Sequence, residues 1–297
     1  MSLNITMKGC ILIHRHQIDR RGPGDNYDTL QYQHLQKQLD WPGFVISSPA
    51  DIPDGYNVLL GAGIRFWTGA SDFNIRNYSA TKKSITVEFQ DGYGYKNPIL
   101  ADLCLYHVKR PTDIVDNNSQ FKYVGVGVQD EYLYPEQDKN NPVAFLDHWH
   151  PRGQHMDRSF QLAQKLKLEG WQIYHLNYNG LVLNNFEQSS VNYKTVKHED
   201  VCAALRRSHL FIMTHVETQG MTQIEAGLCG AAIVGEHKDL SPYVLQSLPF
   251  YTFDQFDLNI KIDFKKNSIE AKKQYSFSSF RENVLLQIKQ YILQHRI

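Results

Sequence analysis

The sequence predicts an α/β protein of two Rossmann-like domains, whose parallel sheets face each other across a cleft. The chain has 297 residues, roughly two average domains. Short apolar runs alternate with helix-like segments, which is typical of βαβ units. A polar stretch at 136–142 separates two such series and has the composition of a linker. The predicted domains are therefore 1–138 and 139–279, with a closing helix 280–297 expected to pack back on the first.

The first half contains six apolar or β-branched runs and one clear helical face. Leu30, Leu35 and Leu39 recur at helical spacing and predict a helix over 29–39. The runs predict strands at 10–13, 44–47, 58–60, 84–89, 103–107 and 122–126.

The second half repeats the alternation, with Gly170 and Gly230 placed where two of its helices should end. Sheets of this kind bind ligands beyond the carboxyl ends of their strands, so the site is expected in the interdomain cleft. Strands are predicted at 143–146, 172–176, 210–214 and 231–235, and helices at 157–169, 199–207, 220–228 and 280–297.

Composition excludes several classes of protein. Lys plus Arg is 31 and Asp plus Glu is 31, so the net charge is zero, which argues against a dedicated nucleic-acid binder. No apolar run approaches the ~20 residues that span a bilayer, and the N-terminus lacks the apolar region of a signal peptide. The four cysteines form no CxxC pair and suggest neither a disulfide framework nor a zinc module. We therefore expect a reduced, soluble, cytoplasmic protein.

The most informative segment is 211–230, in which a buried strand leads through a turn into a helix. Backbone N–H groups at a helix N-terminus favour an anion such as a pyrophosphate. The amides of 219–222 would supply that site around Gly220. Glu217 precedes the turn and Glu225 lies about one turn into the helix. Carboxylates accept hydrogen bonds from vicinal hydroxyls, so the pair fits the sugar and the ribose of a nucleotide sugar.

A purely structural role for Glu225 is an equal alternative at this point. Thr222 and Glu225 match a capping box, in which the glutamate only caps the start of the helix. From the motif alone, ligand binding and capping are both open.

In context, these residues resemble the retaining glycosyltransferases of family 4, which have the GT-B fold. Glu217 and Glu225 are separated by seven residues and followed by Ala226 and Cys229-Gly230, as in the family's Glu-x7-Glu signature. The segment 127–135, Gly-Val-Gln-Asp-Glu-Tyr-Leu-Tyr-Pro, resembles the family's Asn-Gly-Val-Asp-x3-Phe-x-Pro motif. The segment 145–153 stands where the family has Gly-Arg-x4-Lys-Gly. The resemblance covers the second domain well and the first loosely.

The resemblance implies a hexosyltransferase that uses a nucleoside diphosphate sugar of the GDP-mannose or UDP-glucose type. Glu217 would contact the hydroxyls of the donor sugar, Glu225 the ribose and Arg152 the phosphates. The implied reaction retains the anomeric configuration, with front-face attack and the leaving phosphate taking the acceptor proton. The pyrophosphate would be held by the amides of Gln219, Gly220, Met221 and Thr222.

The sequence also departs from the family: Val126 stands where the family has an asparagine and Ala232 where it has a proline, and two further departures fall on expected site positions. Asp147 stands where the family has its earlier arginine, and Gln90 stands where the first domain should have an active-site histidine. Gln90 or Asp91 is expected to take over that polar contact. Gly22 and Gly24 follow the first strand, as the family's glycine-rich loop does, and would approach the donor closely because glycine lacks a Cβ.

Neither a metal nor another cofactor is expected. No Asp-x-Asp occurs, and His148, His150 and His155 lack a cysteine or carboxylate at ligand spacing. The expected partners are a nucleotide sugar and a glycan, lipid or protein acceptor, with no nucleic acid; a homodimer is left open. Two alternatives to a transferase remain: a nucleotide-sugar-binding protein without transferase activity, and a GT-B nucleotide-sugar epimerase.

Overall fold

The protein consists of two compact units, one formed by Met1–Val126 with Phe280–Ile297 and the other by Gly127–Ser279. Its six described α-helices are α1 (Tyr27–Leu39), α2 (Met156–Leu168), α3 (His198–Arg207), α4 (Met221–Leu228), α5 (Phe264–Tyr275) and α6 (Phe277–His295), with short 3-10 helices at Pro49–Asp51 and Asp130–Tyr132. The computed structural model describes residues 7–15, 27–62, 84–90, 101–106, 121–138, 140–147, 156–177, 180–184, 196–214, 221–236 and 248–295.

The first unit contains a six-stranded sheet in the order β2-β1-β3-β4-β5-β6. Its described strand pairs are all parallel. The order reverses at β1, so the topological switch point lies between β1 and β3. The strands are β1 (Gly9–His14), β2 (Gly43–Ile46), β3 (Val58–Ala62), β4 (Ile85–Gln90), β5 (Leu103–Tyr106) and β6 (Phe121–Tyr123).

Both faces of this sheet are buried, which explains why its strands are continuous apolar runs. Ile11 and Ile13 of β1 join a core that includes Leu35 of α1. Cys10 and Leu12, which alternate with them, join a second core. Helix α6 completes the first core with residues at helical spacing, so its apolar face packs in this unit; these residues are Phe280, Val284, Ile288, Tyr291 and Ile292.

The second unit contains a six-stranded sheet in the order β12-β11-β10-β7-β8-β9. Renumbered within the unit, the order is that of the dinucleotide-binding Rossmann sheet, with its switch point between β7 and β10. The pairs are parallel except for β8 with β9. The strands are β7 (Val143–Asp147), β8 (Gln172–Asn177), β9 (Gly180–Leu183), β10 (Leu210–Met213), β11 (Ala232–Gly235) and β12 (Phe250–Thr252).

These two sheets, both dominated by parallel pairs and flanked by helices, confirm the predicted α/β class. The predicted strands and helices of both halves match observed ones within a few residues. The sequence missed β9, β12 and α5, and it did not predict that β9 runs antiparallel to β8.

The polar stretch predicted as a linker lies within the second unit. The backbone N–H of Glu136 donates to the carbonyl of Arg206 at 2.8 Å. The side-chain amide of Gln137 donates to the carbonyls of Ser208 and Cys229, at 2.8 and 2.9 Å. The polar composition of this stretch therefore serves hydrogen bonds to backbone groups inside the unit.

Across the described ranges, no helix has both the length and the apolar character needed to cross a bilayer.

Candidate functional site

The two strands that meet at the switch point of the second sheet are followed in the sequence by the segments that carry most of the predicted donor contacts. Asp147 ends β7 and is paired in register with Met213, which ends the neighbouring strand β10. Open α/β sheets bind ligands just outside such a pair of carboxyl ends. In the sequence, the segment with Arg152 follows Asp147, and the segment with Glu217 follows β10.

Buried hydroxyl groups tie the two strand ends together. Thr214 donates from Oγ1 to the carbonyl oxygen of Asp147 at 2.5 Å. Ser159 of α2 donates from Oγ to the carbonyl oxygen of Met213, also at 2.5 Å. Both side chains are fully buried. These bonds satisfy backbone groups at the switch point and fix the start of α2 against it.

Helix α4 begins directly after the segment 215–220 and is almost entirely buried beyond its first turn. Its first backbone N–H groups, which include those of Met221 and Thr222, have no partner within the helix. The helix ends in a Schellman motif, because Gly230 donates to the carbonyl of Gly227 at 2.8 Å and Ala231 to that of Ala226 at 3.0 Å. Its N-terminus therefore lies at the end of the sheet where the switch point is.

Glu225 is a buried carboxyl group on this helix, with 6% of its surface exposed. Burial and, secondarily, the nearby Asp147 carboxyl group raise the pKa of Glu225 to about 8. The helix starts at Met221, so Thr222 is a helical residue and Glu225 is not three residues beyond the N-cap. Thr222 and Glu225 therefore do not have the geometry of a capping box. The side chain of Glu225 contacts α3 instead.

That contact joins the carboxyl group of Glu225 to the imidazole of His198 at the start of α3. The imidazole Nε2 lies 3.4 Å from Glu225 Oε1 and 3.4 Å from the thiol Sγ of Cys202. A cysteine–histidine–carboxylate triad would need one imidazole nitrogen for the thiol and the other for the acid. Here Nε2 faces both groups, and burial raises the pKa of the Cys202 thiol to about 11. The cluster is therefore suited to holding Glu225 rather than to nucleophilic catalysis.

Several predicted site residues lie outside the described residues. They are Gly22, Gly24, Asp91, Arg152, Glu217, Gln219 and Gly220, together with the histidines His148, His150 and His155. Gln90 ends β4 in the first unit, where it pairs in register with Tyr106. In the ranges that the structure describes, no group of three or more histidine, cysteine, aspartate or glutamate side chains is arranged to hold a metal ion.

The structure adds three residues that sequence analysis did not assign to a site. His198 and Asp147 adjoin Glu225 through the packing of α3 and β7 around α4. The third is Glu88 on β4 of the first unit, whose pKa burial raises to about 8. Glu88 is the one charged residue of β4 and lies between Val87 and Phe89, and this is a signal that the sequence did contain. No sequence spacing points to His198, because 26 residues separate it from Glu225.

Comparisons with known proteins identify the fold but no family. No family model matches the sequence, and no curated protein matches it. A glycosyltransferase from Rickettsia africae is similar in structure, with a TM-score of 0.56 and 10% identity over 97% of this chain and 99% of that one. A lipopolysaccharide outer core galactosyltransferase is similar with a TM-score of 0.54 and 11% identity, over 95% of this chain and 99% of that one. A putative UDP-N-acetylglucosamine 2-epimerase from Listeria monocytogenes is similar with a TM-score of 0.55 and 11% identity, over 97% of this chain and 98% of that one. The chain thus has the α/β fold of the GT-B proteins.

Proposed function

We propose that this protein is a retaining, metal-independent glycosyltransferase that moves a hexose from a nucleoside diphosphate sugar to an acceptor. The observation on which the proposal rests is the buried carboxyl group of Glu225, held on α4 next to the strand ends of the switch point. Burying an acid costs stability unless it is paired and hydrogen-bonded, so a buried acid at this place calls for a functional explanation. Binding the vicinal hydroxyls of a ribose is such a function at this place in a Rossmann sheet.

The diphosphate would be held by the start of α4 together with Arg152. The N–H groups of Met221 and Thr222, which have no partner within the helix, and the positive end of the helix dipole suit an anion. An arginine is permanently charged and forms two parallel hydrogen bonds to a phosphate. Gln219 and Gly220 would add their amides to the same site.

In the proposed reaction, the enzyme stabilises the charge that develops on the departing diphosphate. Preorganised donors of this kind are worth on the order of 3 kcal/mol each. The sugar passes through an oxocarbenium-like state, and the acceptor attacks the face from which the phosphate leaves. The leaving phosphate takes the acceptor proton, so Glu217 positions the sugar and need not act as a nucleophile. Gln90 and Asp91 are proposed as polar contacts of the first unit.

The proposed donors are of the GDP-mannose or UDP-glucose type, and the acceptor is a glycan, a lipid or a protein. The structural likeness to glycosyltransferases, at low sequence identity, supports a nucleotide-sugar donor but does not select its base or its sugar.

The first test is donor turnover by the Glu217→Ala variant. Release of nucleoside diphosphate from GDP-mannose and UDP-glucose is followed without acceptor, because slow hydrolysis accompanies a working transfer site. We expect the wild type to hydrolyse one of the donors and Glu217→Ala to lose this activity while circular dichroism stays unchanged. Glu270→Gln, an exposed glutamate of α5 paired with Lys273, serves as the matched control. Undiminished turnover by Glu217→Ala would remove its assignment.

The second test is diphosphate binding by Arg152→Ala, measured by calorimetry with GDP and UDP. Loss of a charge-assisted contact should weaken binding by about tenfold or more, since such bonds are worth about 1.5–3 kcal/mol. Unchanged affinity would show that Arg152 does not meet the phosphates.

An epimerase is the second candidate, favoured by the structural likeness to a putative UDP-N-acetylglucosamine 2-epimerase. Proton NMR of the donor after incubation without acceptor separates the alternatives. A changed sugar still attached to the nucleotide indicates epimerisation, a free sugar indicates transfer to water, and an unchanged donor that nonetheless binds indicates a binding protein.

A further inference from the structure

The pair formed by Glu225 and His198 joins a buried acid to a base in contact with solvent. The side chain of His198 is 69% exposed, whereas that of Glu225 is 8% exposed. The 3.4 Å between Nε2 and Oε1 is longer than a well-formed hydrogen bond and short enough for a small rotation to close. That rotation would bring the two groups close enough for a proton to pass between them.

The protonation state of Glu225 decides what it can bind. A neutral carboxyl group carries one O–H donor, so one of its oxygens is poorly suited to accept from a ligand hydroxyl. A carboxylate accepts from two vicinal hydroxyls at once. Because burial raises the pKa of Glu225 to about 8, the free protein holds this group protonated at neutral pH, and accepting hydrogen bonds from both hydroxyls of a diol requires the proton to leave.

Among the described residues around Glu225, few other groups could take that proton. Asp147 of β7 is itself acidic and raises the pKa of Glu225. On α3, Cys202 is a thiol, and Arg206 is paired with Glu136, its Nε lying 3.2 Å from the carboxylate. After α4, Cys229 is a buried thiol whose pKa is raised further by burial. On α5, Ser268 donates a hydrogen bond to the end of α4 and Asn267 donates one to Gly230, and neither side chain titrates.

We infer that His198 is a positioning residue that acts through Glu225, taking its proton when the two vicinal hydroxyls of a nucleotide ribose bind. The O–H bond of Glu225 breaks, an N–H bond forms at Nε2 of His198, and the resulting carboxylate accepts both hydroxyls. Water stabilises the exposed imidazolium, and the new ion pair offsets part of the cost of a buried charge. This inference rests on the proposed function, because it takes a nucleotide as the ligand of Glu225.

Proton counting by calorimetry tests the inference. GDP and UDP are titrated into the full-length protein at pH 7 in buffers that differ in ionisation enthalpy. We expect the wild type to release close to no proton to the buffer, since the proton moves to His198. His198→Gln keeps the size and polarity of the side chain but cannot take a proton. It should release about one proton, and its Kd should fall about tenfold per pH unit between pH 6 and pH 8.

Two controls separate this role from a structural one. His295→Gln changes an exposed histidine of α6 in the other unit and should match the wild type in affinity and proton count. Infrared difference spectra report the carboxyl group directly. The wild type should show a protonated carboxyl band at pH 7 that Glu225→Gln lacks and that saturating nucleotide removes.

The outcomes are distinct. The inference would be overturned by any of three results: a protonated carboxyl band that persists in the nucleotide complex, release of a full proton by the wild type, or identical pH profiles for wild type and His198→Gln. In each case, nucleotide binding itself would leave the proposed function standing. Absence of binding by both nucleotides to the wild type would contradict the proposed function and overturn the inference with it.

Discussion

Among the described residues, Glu88 in the first unit and Glu225 in the second are buried carboxyl groups with a raised pKa. Glu88 on β4 is 4% exposed, and Glu225 on α4 is 6% exposed. Burial is the main reason that the pKa of each is raised to about 8. Between the ordinary pKa of a glutamate and pH 8, the folded protein binds a proton at each group that the unfolded chain does not hold. Stability therefore declines as the pH rises through this range.

The first prediction at the residue scale concerns Glu88→Gln. The amide removes the ionisation, so the variant should gain stability relative to the wild type by about 1.4 kcal/mol per pH unit from pH 5 to pH 8. Urea unfolding at four pH values measures the difference. Glu282→Gln, an exposed position on α6 of the same unit, is the control and should show no such slope. A constant difference between Glu88→Gln and wild type would show that Glu88 does not titrate as a buried acid.

At the scale of the element, α4 shows how a short helix is held in one position. Its eight residues include Ala226 and Gly227, small side chains that let neighbouring elements approach. A Cβ on Gly227 would overlap the side chain of Leu248. The Schellman motif at Gly230 ends the helix against the backbone of α5. Packing along the sides of α4 and at its C-terminal end therefore fixes the positions of its N-terminal amides and of Glu225.

The prediction at this scale compares two glycines with nearly the same backbone. Gly230 and Gly170 have φ of +86° and +87°, and each ends a helix of the second unit. A Cβ at Gly230 would overlap the carbonyl of Phe264, whereas none of the surroundings of Gly170 lies within 4 Å of an added Cβ. Gly170→Ala should cost about 1 to 2 kcal/mol for the left-handed conformation alone.

Gly230→Ala should cost more than twice as much, because the backbone of α5 must also move. Denaturant unfolding of both variants measures the two losses. Equal losses of stability in the two variants would mean that the backbone of α5 can move away from this contact at no cost in free energy.

At the scale of the whole molecule, the chain builds its first unit from both ends of the sequence. Helix α6 supplies a row of buried residues to the core that β1, β3, β4 and α1 form. The ring of Phe280 meets that of Phe89 edge to face, with centroids 5.8 Å apart. The second unit is continuous in sequence between these two parts of the first. Folding of the first unit therefore needs residues that lie after the whole of the second.

The prediction at this scale is that Ile288→Ala destabilises the first unit by about 3 kcal/mol. The side chain is fully buried, and its truncation leaves a cavity in the core. Leu286, two residues earlier on α6, is 48% exposed, and Leu286→Ala should change stability by no more than about 0.5 kcal/mol. Thermal unfolding of the two variants checks the contrast. Similar, small losses for both would show that α6 contributes little to this core.

The sequence predicted most of the sheet strands because parallel strands buried on both faces are apolar at most positions. The elements that it missed lack this signal. Strand β9 is short and half-exposed. Helix α5 has only Ser268, Ala271 and Tyr275 buried among many lysines, so its apolar face is too narrow to recognise. Glu225 could be singled out from its spacing to Glu217 and its place after a strand.

What the sequence determined by itself is the alternation of strands and helices, the glycines that end α2 and α4, and the acidic residue on α4. These depend on local periodicity and backbone conformation, which neighbouring residues largely dictate. Only the tertiary structure decided that Glu225 is buried, that His198 faces it from α3, and which residues of α6 fill the core of the first unit. These depend on contacts between segments far apart in the chain, and no local pattern encodes which segments will meet.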